Sequence, residues 1–247
     1  MGLLAAGLVL ALVASLLARR RVFAGDPRSA GALYRRREWI GAALTFAALG
    51  GLQMLLHRLD VLLLGWLAGT TAAGLYWIAV AISEIATLPM LALGSVAGPA
   101  IAALYARDDL AAKRATMRSA TIRMVVGTCL FAGPLFVLAP WLLGAFGARF
   151  VEATDALRIL LVGQFLRALA GPVLVMLSLT RNERMATAIL ATAALGDAVL
   201  CVVLIPRYGL TGAAIASLAV WAASHLMMTV VVWRRFGYVP LFRSGPA

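Results

Sequence analysis

Long runs of apolar residues follow one another through almost the whole chain. Seven of these runs reach, or nearly reach, the length of about 20 residues that a helix needs to cross a bilayer. They are residues 2–18, 39–66, 74–104, 124–146, 157–180, 185–206 and 212–233. The sequence therefore predicts an all-α, polytopic membrane protein with about seven transmembrane helices.

The composition excludes the other broad classes of protein. Hydrophobic residues make up 63% of the 247 residues and charged residues only 13%. A soluble domain has roughly 45–50% apolar and about 25% charged residues. The chain is therefore neither a soluble globular protein nor a disordered one.

The basic residues collect in alternate connections between the predicted helices. Of the 22 basic residues, 17 lie in four segments: 19–38, 105–123, 181–184 and the tail after residue 233. The other connections, near 67–73, 147–156 and 207–211, contain only Arg149 and Arg207. The positive-inside rule places the four basic segments in the cytoplasm, which puts the N-terminus outside and the C-terminus inside. The net charge of +12 is thus a topology signal that suits anionic membrane lipids, and nucleic acid is not an expected partner.

Several residues inside the apolar runs predict local structure but no catalysis. Cys129 and Cys201 have no Cys or His at ligand spacing, so both are expected to be small buried residues. The sequence shows no metal cluster, no phosphate-binding glycine loop and no nucleophile–His–acid set. We therefore expect no enzyme activity, metal or cofactor. Kinks are expected at the prolines within the predicted spans. These are Pro89, Pro134, Pro140 and Pro172.

Polar and charged side chains inside the predicted spans are candidate functional residues, because they are costly at membrane depth. Those selected for a substrate-binding cavity are Arg58, Asp60, Glu84, Gln164 and Arg167. Those selected either for ion coupling or for a structural polar role are His57, Asp197 and His225. The alternative for every one of them is an interhelical ion pair or hydrogen bond that only holds helices together.

Five local patterns carry a family resemblance by their order and spacing. They are RLDVLLLGWLAGTTAAGLY (58–76), GPAIAALYARDDL (98–110), FGARFVEATDALRILLVG (146–163), LTRNER (179–184) and LIPRYGLTGAAIAS (204–217). The last is the most specific, with Ile-Pro and Tyr-Gly before a Gly-Ala-Ala that enters the final helix. Together they resemble the polysaccharide-exporting flippases of the multidrug/oligosaccharidyl-lipid/polysaccharide (MOP) superfamily, over about residues 39–236.

The resemblance implies an architecture for the chain. Members of that superfamily, including the related multidrug (MATE) exporters, have two similar helical lobes. Residues 1–38 would form the last helix of a preceding lobe and a basic connection, 39–236 a six-helix C-terminal lobe, and 237–247 a cytoplasmic tail. A missing N-terminal lobe or a second subunit would then be a partner.

The resemblance also implies a function, the flipping of a lipid-linked oligosaccharide across the bacterial inner membrane. The substrate would be of the polyprenyl-pyrophosphate type, used for surface polysaccharide such as the O-antigen of lipopolysaccharide. Arg58 and Arg167 would contact its phosphates, while Glu84 or Asp60 would pair with an arginine or carry a coupling proton or cation. Three alternatives stay open: a cation-coupled multidrug exporter, an envelope polysaccharide enzyme and a non-transporting membrane scaffold. An exporter predicts an acid-rich cavity, and an enzyme predicts a sizeable polar loop.

Overall fold

A computed structural model describes most of the chain after residue 39. The described residues are 40, 41, 43, 44, 47, 50–52, 54, 58–95, 110–179 and 183–236. A first compact unit, Met1–Gly41, has only its last two residues described, and the elements below belong to a second unit, Ala42–Ala247. The residues outside the described part include His57, the predicted span 2–18, the basic connection 19–38 and the tail after residue 236.

The described part is all-α, as predicted. The helices are α1 Leu59–Ala68, α2 Thr70–Ile85, α3 Leu88–Ser95, α4 Leu110–Gly144, α5 Thr154–Ala170, α6 Val173–Leu179 and α7 Glu183–Phe236, with a 3₁₀ helix at Ala148–Ala153. Helix α7 packs against α1, α5 and α6, and α5 also packs against α2 and α4. The described residues contain no strand.

Two predicted kinks are breaks between consecutive helices. Helices α2 and α3 meet at 45°, just before Pro89. Proline lacks an N–H, and its ring clashes with the carbonyl four residues earlier. Helix α5 ends at Ala170. The next residue, Gly171, has a φ of +66°, which suits glycine, and Pro172 follows. Helix α4, in contrast, continues through both Pro134 and Pro140.

Two details of local structure add to or correct the sequence-based expectations. The basic connection 105–123 is predicted to hold a connecting helix, and in its described part this helix is the start of α4, which begins at Leu110 and continues into the predicted fourth span. Residues 110–123 contain no glycine or proline and are rich in helix formers, which explains the continuation. Cys129 was expected to be buried but is exposed on α4, whereas Cys201 is buried.

Helix α7 consists of two legs that meet at Gly209. The backbone of Gly209 is not helical (φ 56°, ψ −128°), and this residue separates residues 183–208 from 210–236. A straight helix of 54 residues would be about 80 Å long, far more than the roughly 30 Å of a hydrocarbon core. The break therefore accounts for one run that covers two predicted spans.

The apolar residues form two buried clusters. One contains Leu64, Tyr76 and Leu157 near the turns at Gly69, Gly147 and Gly209. The other contains Met117, Leu177 and Met228 farther from those turns. The two clusters hold the helices together, and the first contains Tyr76 and Cys201, which also contact polar residues described below.

Large apolar side chains also cover the outside of the described part. Leu62, Trp66, Leu130, Trp141, Leu195 and Leu226 are 63–79% exposed. A soluble monomer rarely exposes so many large apolar side chains, whereas lipid solvates them. Two described helical stretches, Ala115–Gly144 and Met185–Arg234, are long and apolar enough to span a bilayer, and a third qualifies if the bent α2–α3 pair is one span. The protein is a helical membrane protein, and the number of seven spans remains a prediction.

Candidate substrate-binding cavity

A cavity of about 720 Å³ lies among the helices and brings four of the predicted residues together. Arg58, Glu84, Arg167 and His225 all line it. The remaining lining is mostly apolar, with Met90, Leu91, Met124 and Leu174 among its members. A largely apolar pocket with a few convergent polar groups is the usual form of a ligand-binding site.

Arg58 enters the cavity from the start of α1. It is the residue immediately before the helix. Its Nη1 lies 3.4 Å from Oε1 of Glu84, and its guanidinium lies 4.3 Å from the centre of the Trp77 ring. Both side chains of the ion pair are about one-third exposed, so this arginine is supported from two sides but still reaches the cavity.

Arg167 enters the cavity from the last turn of α5. Its Nη1 donates a hydrogen bond to Oε1 of Gln164 (3.1 Å), and its guanidinium lies 5.1 Å from the centre of the Trp221 ring. A cation in the last turn of a helix is stabilised by the helix dipole. Arg167 therefore resembles Arg58 in resting over a tryptophan, but its polar partner is a neutral amide.

The helix breaks explain how charged side chains can lie in a cavity between membrane helices. Glu84 precedes the α2–α3 break, where the backbone N–H and the hydroxyl of Thr87 both donate to the Glu84 carbonyl (2.9 and 2.7 Å). Arg167 precedes the break at Gly171. Irregular backbone is tolerated at membrane depth where it lines a cavity, and Thr87 and Gly171 both line this one.

The cavity carries a net positive charge. The two arginines outweigh Glu84, and Arg167 interacts electrostatically with both Glu84 and His225. Nδ1 of His225 lies 2.9 Å from the Trp221 carbonyl, and because a carbonyl only accepts, Nδ1 is the donor. The arrangement suits an anionic ligand that accepts hydrogen bonds from guanidinium groups.

Asp60 lies outside the cavity lining and joins three helical segments. Its Oδ2 accepts hydrogen bonds from the hydroxyls of Tyr76 (2.8 Å) and Ser217 (3.0 Å). Its Oδ1 accepts one from the backbone N–H of Val61 (2.8 Å). Only 2% of Asp60 is exposed. This carboxylate therefore connects α1, α2 and the second leg of α7.

Asp197 is a second buried carboxyl group on the first leg of α7. It is 1% exposed and interacts electrostatically with Asp60. The thiol of Cys201 donates to its Oδ1 over 3.9 Å, while Oδ2 has no hydrogen-bond partner among the described residues. We call Asp60, Tyr76, Asp197, Cys201 and Ser217 the aspartate cluster. Within the described residues, no group of three or more His, Cys, Asp or Glu side chains is arranged to hold a metal ion.

Replacing Tyr76 with phenylalanine should lower the free energy of unfolding by about 1 kcal/mol. The change removes one hydrogen bond to Asp60, which keeps those from Ser217 and Val61. Thermal unfolding in detergent measures the loss. Tyr208→Phe is the matched control because Tyr208 is 59% exposed. Equal unfolding temperatures for the two variants would show that the Tyr76 hydroxyl does not stabilise the cluster.

The sequence did not identify the aromatic residues and the hydroxyl that support the cavity. Trp77 and Trp221 were not selected, although each lies under a cavity arginine. Trp221 lies well inside the predicted span 212–233, away from the membrane interfaces where tryptophan is common, which was an available signal, whereas Trp77 lies near the start of the span 74–104 and gave none. Thr87 carries no such signal, because its role depends on where α2 ends.

The fold resembles that of MOP-superfamily transporters of known structure. An outward-facing MATE-family multidrug resistance transporter of that superfamily matches with a TM-score of 0.66 and 20% identity. A MOP-superfamily transporter from Pyrococcus furiosus, described as having a binding pocket whose reversed polarity suggests a different function, matches with a TM-score of 0.59 and 19% identity. Each match covers 84% of this chain and 48% of the other. The chain thus spans about half the length of the transporters it resembles. No protein-family model and no curated protein matches the sequence.

Proposed function

We propose that the protein flips a lipid-linked oligosaccharide across the bacterial inner membrane for the assembly of surface polysaccharide, O-antigen included. The observation that carries the proposal is the pair of guanidinium groups, Arg58 and Arg167, in one cavity with a single carboxylate. The transporter-like fold supports it. The substrate we propose carries a polyprenyl-pyrophosphate, whose phosphates match the planar, two-pronged donors of arginine.

The cavity supplies what the head group needs during the crossing. A sugar that enters hydrocarbon leaves its water behind, and each polar group left unpaired costs several kcal/mol. Arg58, Glu84, Arg167 and His225 replace part of that water. The lipid tail stays in the bilayer, so only the head group has to pass. No covalent bond forms or breaks, which is consistent with the transporter-like fold.

The proposal includes an opposing half of the transport pathway. Because the chain covers 48% of its structural neighbours, we propose that residues 39–236 are the C-terminal lobe. A second lobe, from further sequence or from another subunit, would close the cavity. Alternating access then comes from rocking of the two lobes about the substrate. The positive-inside distribution of charges orients this lobe with its C-terminus in the cytoplasm.

We assign the coupling of transport to an ion to the aspartate cluster, and specifically to Asp197. A buried carboxyl group with an unpartnered oxygen is costly unless it takes up a proton or a cation. Asp197→Asn should therefore leave pyrophosphate binding unchanged and remove the response of flipping to a pH gradient. Asp155→Asn is the control, because Asp155 lies in the first turn of α5 with a side chain 76% exposed. An undiminished response in Asp197→Asn would exclude Asp197 from coupling.

Export of cationic drugs is the second candidate function. Glu84 is the observation that favours it, because an acid in the cavity can hold a cation. The MATE-family neighbour has the same type of fold. The two arginines oppose this reading, since they repel a cationic drug. An envelope enzyme and a passive scaffold find no comparable support in the cavity or in the structural neighbours.

Deletion of the gene distinguishes these functions in cells. Loss of a flippase should remove surface polysaccharide and accumulate the lipid-linked oligosaccharide in the inner leaflet, with no change in sensitivity to cationic drugs. Loss of an exporter should raise drug sensitivity and leave the polysaccharide intact. The second pattern would overturn the proposed function.

A further inference from the structure

The two cavity arginines differ in the charge of their polar partners. Arg167 donates to the neutral amide of Gln164 over 3.1 Å. Arg58 faces the carboxylate of Glu84 over 3.4 Å. Each guanidinium also rests over a tryptophan ring. The cavity thus contains two similar arginine sites, of which one is already occupied by an anion of the protein itself.

The contact between Arg58 and Glu84 is poorly formed for an ion pair. A charge-assisted hydrogen bond has a donor–acceptor distance of about 2.7–2.9 Å, and this one is longer. Nη1 of Arg58 is buried and makes no hydrogen bond with any described group. Although Nη1 itself is buried, both side chains are about one-third exposed, so water screens their attraction and makes it weaker than that of a fully buried pair. A better acceptor entering the cavity can therefore replace the Glu84 carboxylate at low cost.

We propose that Glu84 is a displaceable internal anion that sets the selectivity of the cavity for a diphosphate head group. The inference rests on the proposed function. In the empty cavity Glu84 takes the place on Arg58 that the second phosphate takes when substrate binds, while the first phosphate binds Arg167. The negative charge of Glu84 also acts at Arg167. Glu84 therefore repels an anion that binds to Arg167. A monophosphate satisfies Arg167 alone and leaves this repulsion in place, whereas a diphosphate displaces the carboxylate.

Binding of inorganic pyrophosphate tests the inference. The protein, expressed at full length from its own gene, is placed in phosphatidylcholine nanodiscs without anionic lipid or divalent cations. Inorganic pyrophosphate is then titrated into it by isothermal calorimetry. Glu84→Gln should bind pyrophosphate roughly fivefold more tightly than the wild type, as expected for loss of a competing, partly exposed ion pair. It should bind inorganic phosphate more tightly by a larger factor, so that the preference for pyrophosphate over phosphate falls. Glu152→Gln is the charge-matched control, because Glu152 is exposed in the 3₁₀ helix outside the cavity lining, and its Kd should equal that of the wild type.

The outcomes separate the inference from the proposed function. Unchanged or weaker binding in Glu84→Gln, with binding still abolished by Arg167→Ala, overturns the role of Glu84 and leaves the anion site intact. Absence of pyrophosphate binding in the wild type overturns both proposals. If Glu84→Gln does not fold, Glu84→Asp replaces it, because the shorter side chain withdraws the carboxylate from Arg58. That variant should also bind more tightly, and a merely structural role for Glu84 predicts weaker binding.

Discussion

Replacement of Arg167 by alanine is expected to abolish surface polysaccharide while the protein stays at its wild-type level in the membrane. Arg167 lines the cavity and donates to the neutral amide of Gln164, whereas Arg58 contacts the carboxylate of Glu84, so the charge of Arg167 is the less neutralised of the two and attracts a phosphate. Loss of a desolvated charged contact commonly costs enough to weaken binding by about a hundredfold or more.

Arg158→Ala is the matched control for this experiment. Arg158 lies on the same helix, rests 5.4 Å from the Phe136 ring and pairs with Asp155 at 3.9 Å, but does not line the cavity. Polysaccharide should be unchanged in that variant. Quantitative blotting of membranes gives protein abundance, and staining of surface glycan gives activity. Normal glycan in Arg167→Ala would remove Arg167 from the mechanism.

Gly171→Ala should lower the free energy of unfolding by about 2–4 kcal/mol. The backbone of Gly171 (φ 66°, ψ −157°) lies in a region that is essentially restricted to glycine, and it costs a residue with a Cβ about 1–3 kcal/mol. A Cβ there would also collide with the side chain of Thr121 on α4, and overpacking typically adds about 1–3 kcal/mol. Since Gly171 lines the cavity, the variant should also impair pyrophosphate binding.

A double variant separates the two causes of that loss. Thr121→Ala removes the colliding hydroxyl and methyl groups. The double variant should therefore regain the stability that Gly171→Ala loses through the collision, but not the stability that it loses through the backbone conformation of residue 171. Gly133→Ala is the control, because a Cβ at this helical position on α4 meets no atom within 4 Å. It should be neutral or slightly stabilising. If Gly171→Ala were as stable as Gly133→Ala, the described break between α5 and α6 would be wrong.

The helical class and two breaks could be predicted from the sequence because both depend on local chemistry. Continuous apolar runs specify helices in lipid, and Pro89 and Pro172 mark the breaks. Each proline follows a charged residue by five positions, Glu84 in one case and Arg167 in the other. That shared spacing places both charges in the last turn before a break, which is where the cavity lies.

The separation of the candidate residues into two sites could not be predicted, because it depends on tertiary packing. Asp60 and Arg58 are two positions apart, yet Asp60 binds Ser217, which is 157 residues away, and Arg58 lines the cavity. The break at Gly209 brings the second leg of α7 back, which places Ser217 near Asp60 and His225 in the cavity. Periodicity within one helix contains no information about such partners.

A flipping assay in proteoliposomes tests the central claim most directly. The native-length protein is reconstituted with a fluorescent lipid-linked oligosaccharide of the polyprenyl-pyrophosphate type, and a membrane-impermeant quencher reports the fraction in the outer leaflet over time. The wild type should move the lipid across the bilayer, and Arg167→Ala should match protein-free vesicles. Absence of flipping by the wild type, together with uptake or release of a cationic dye by the same vesicles, would contradict the account and identify a drug exporter instead.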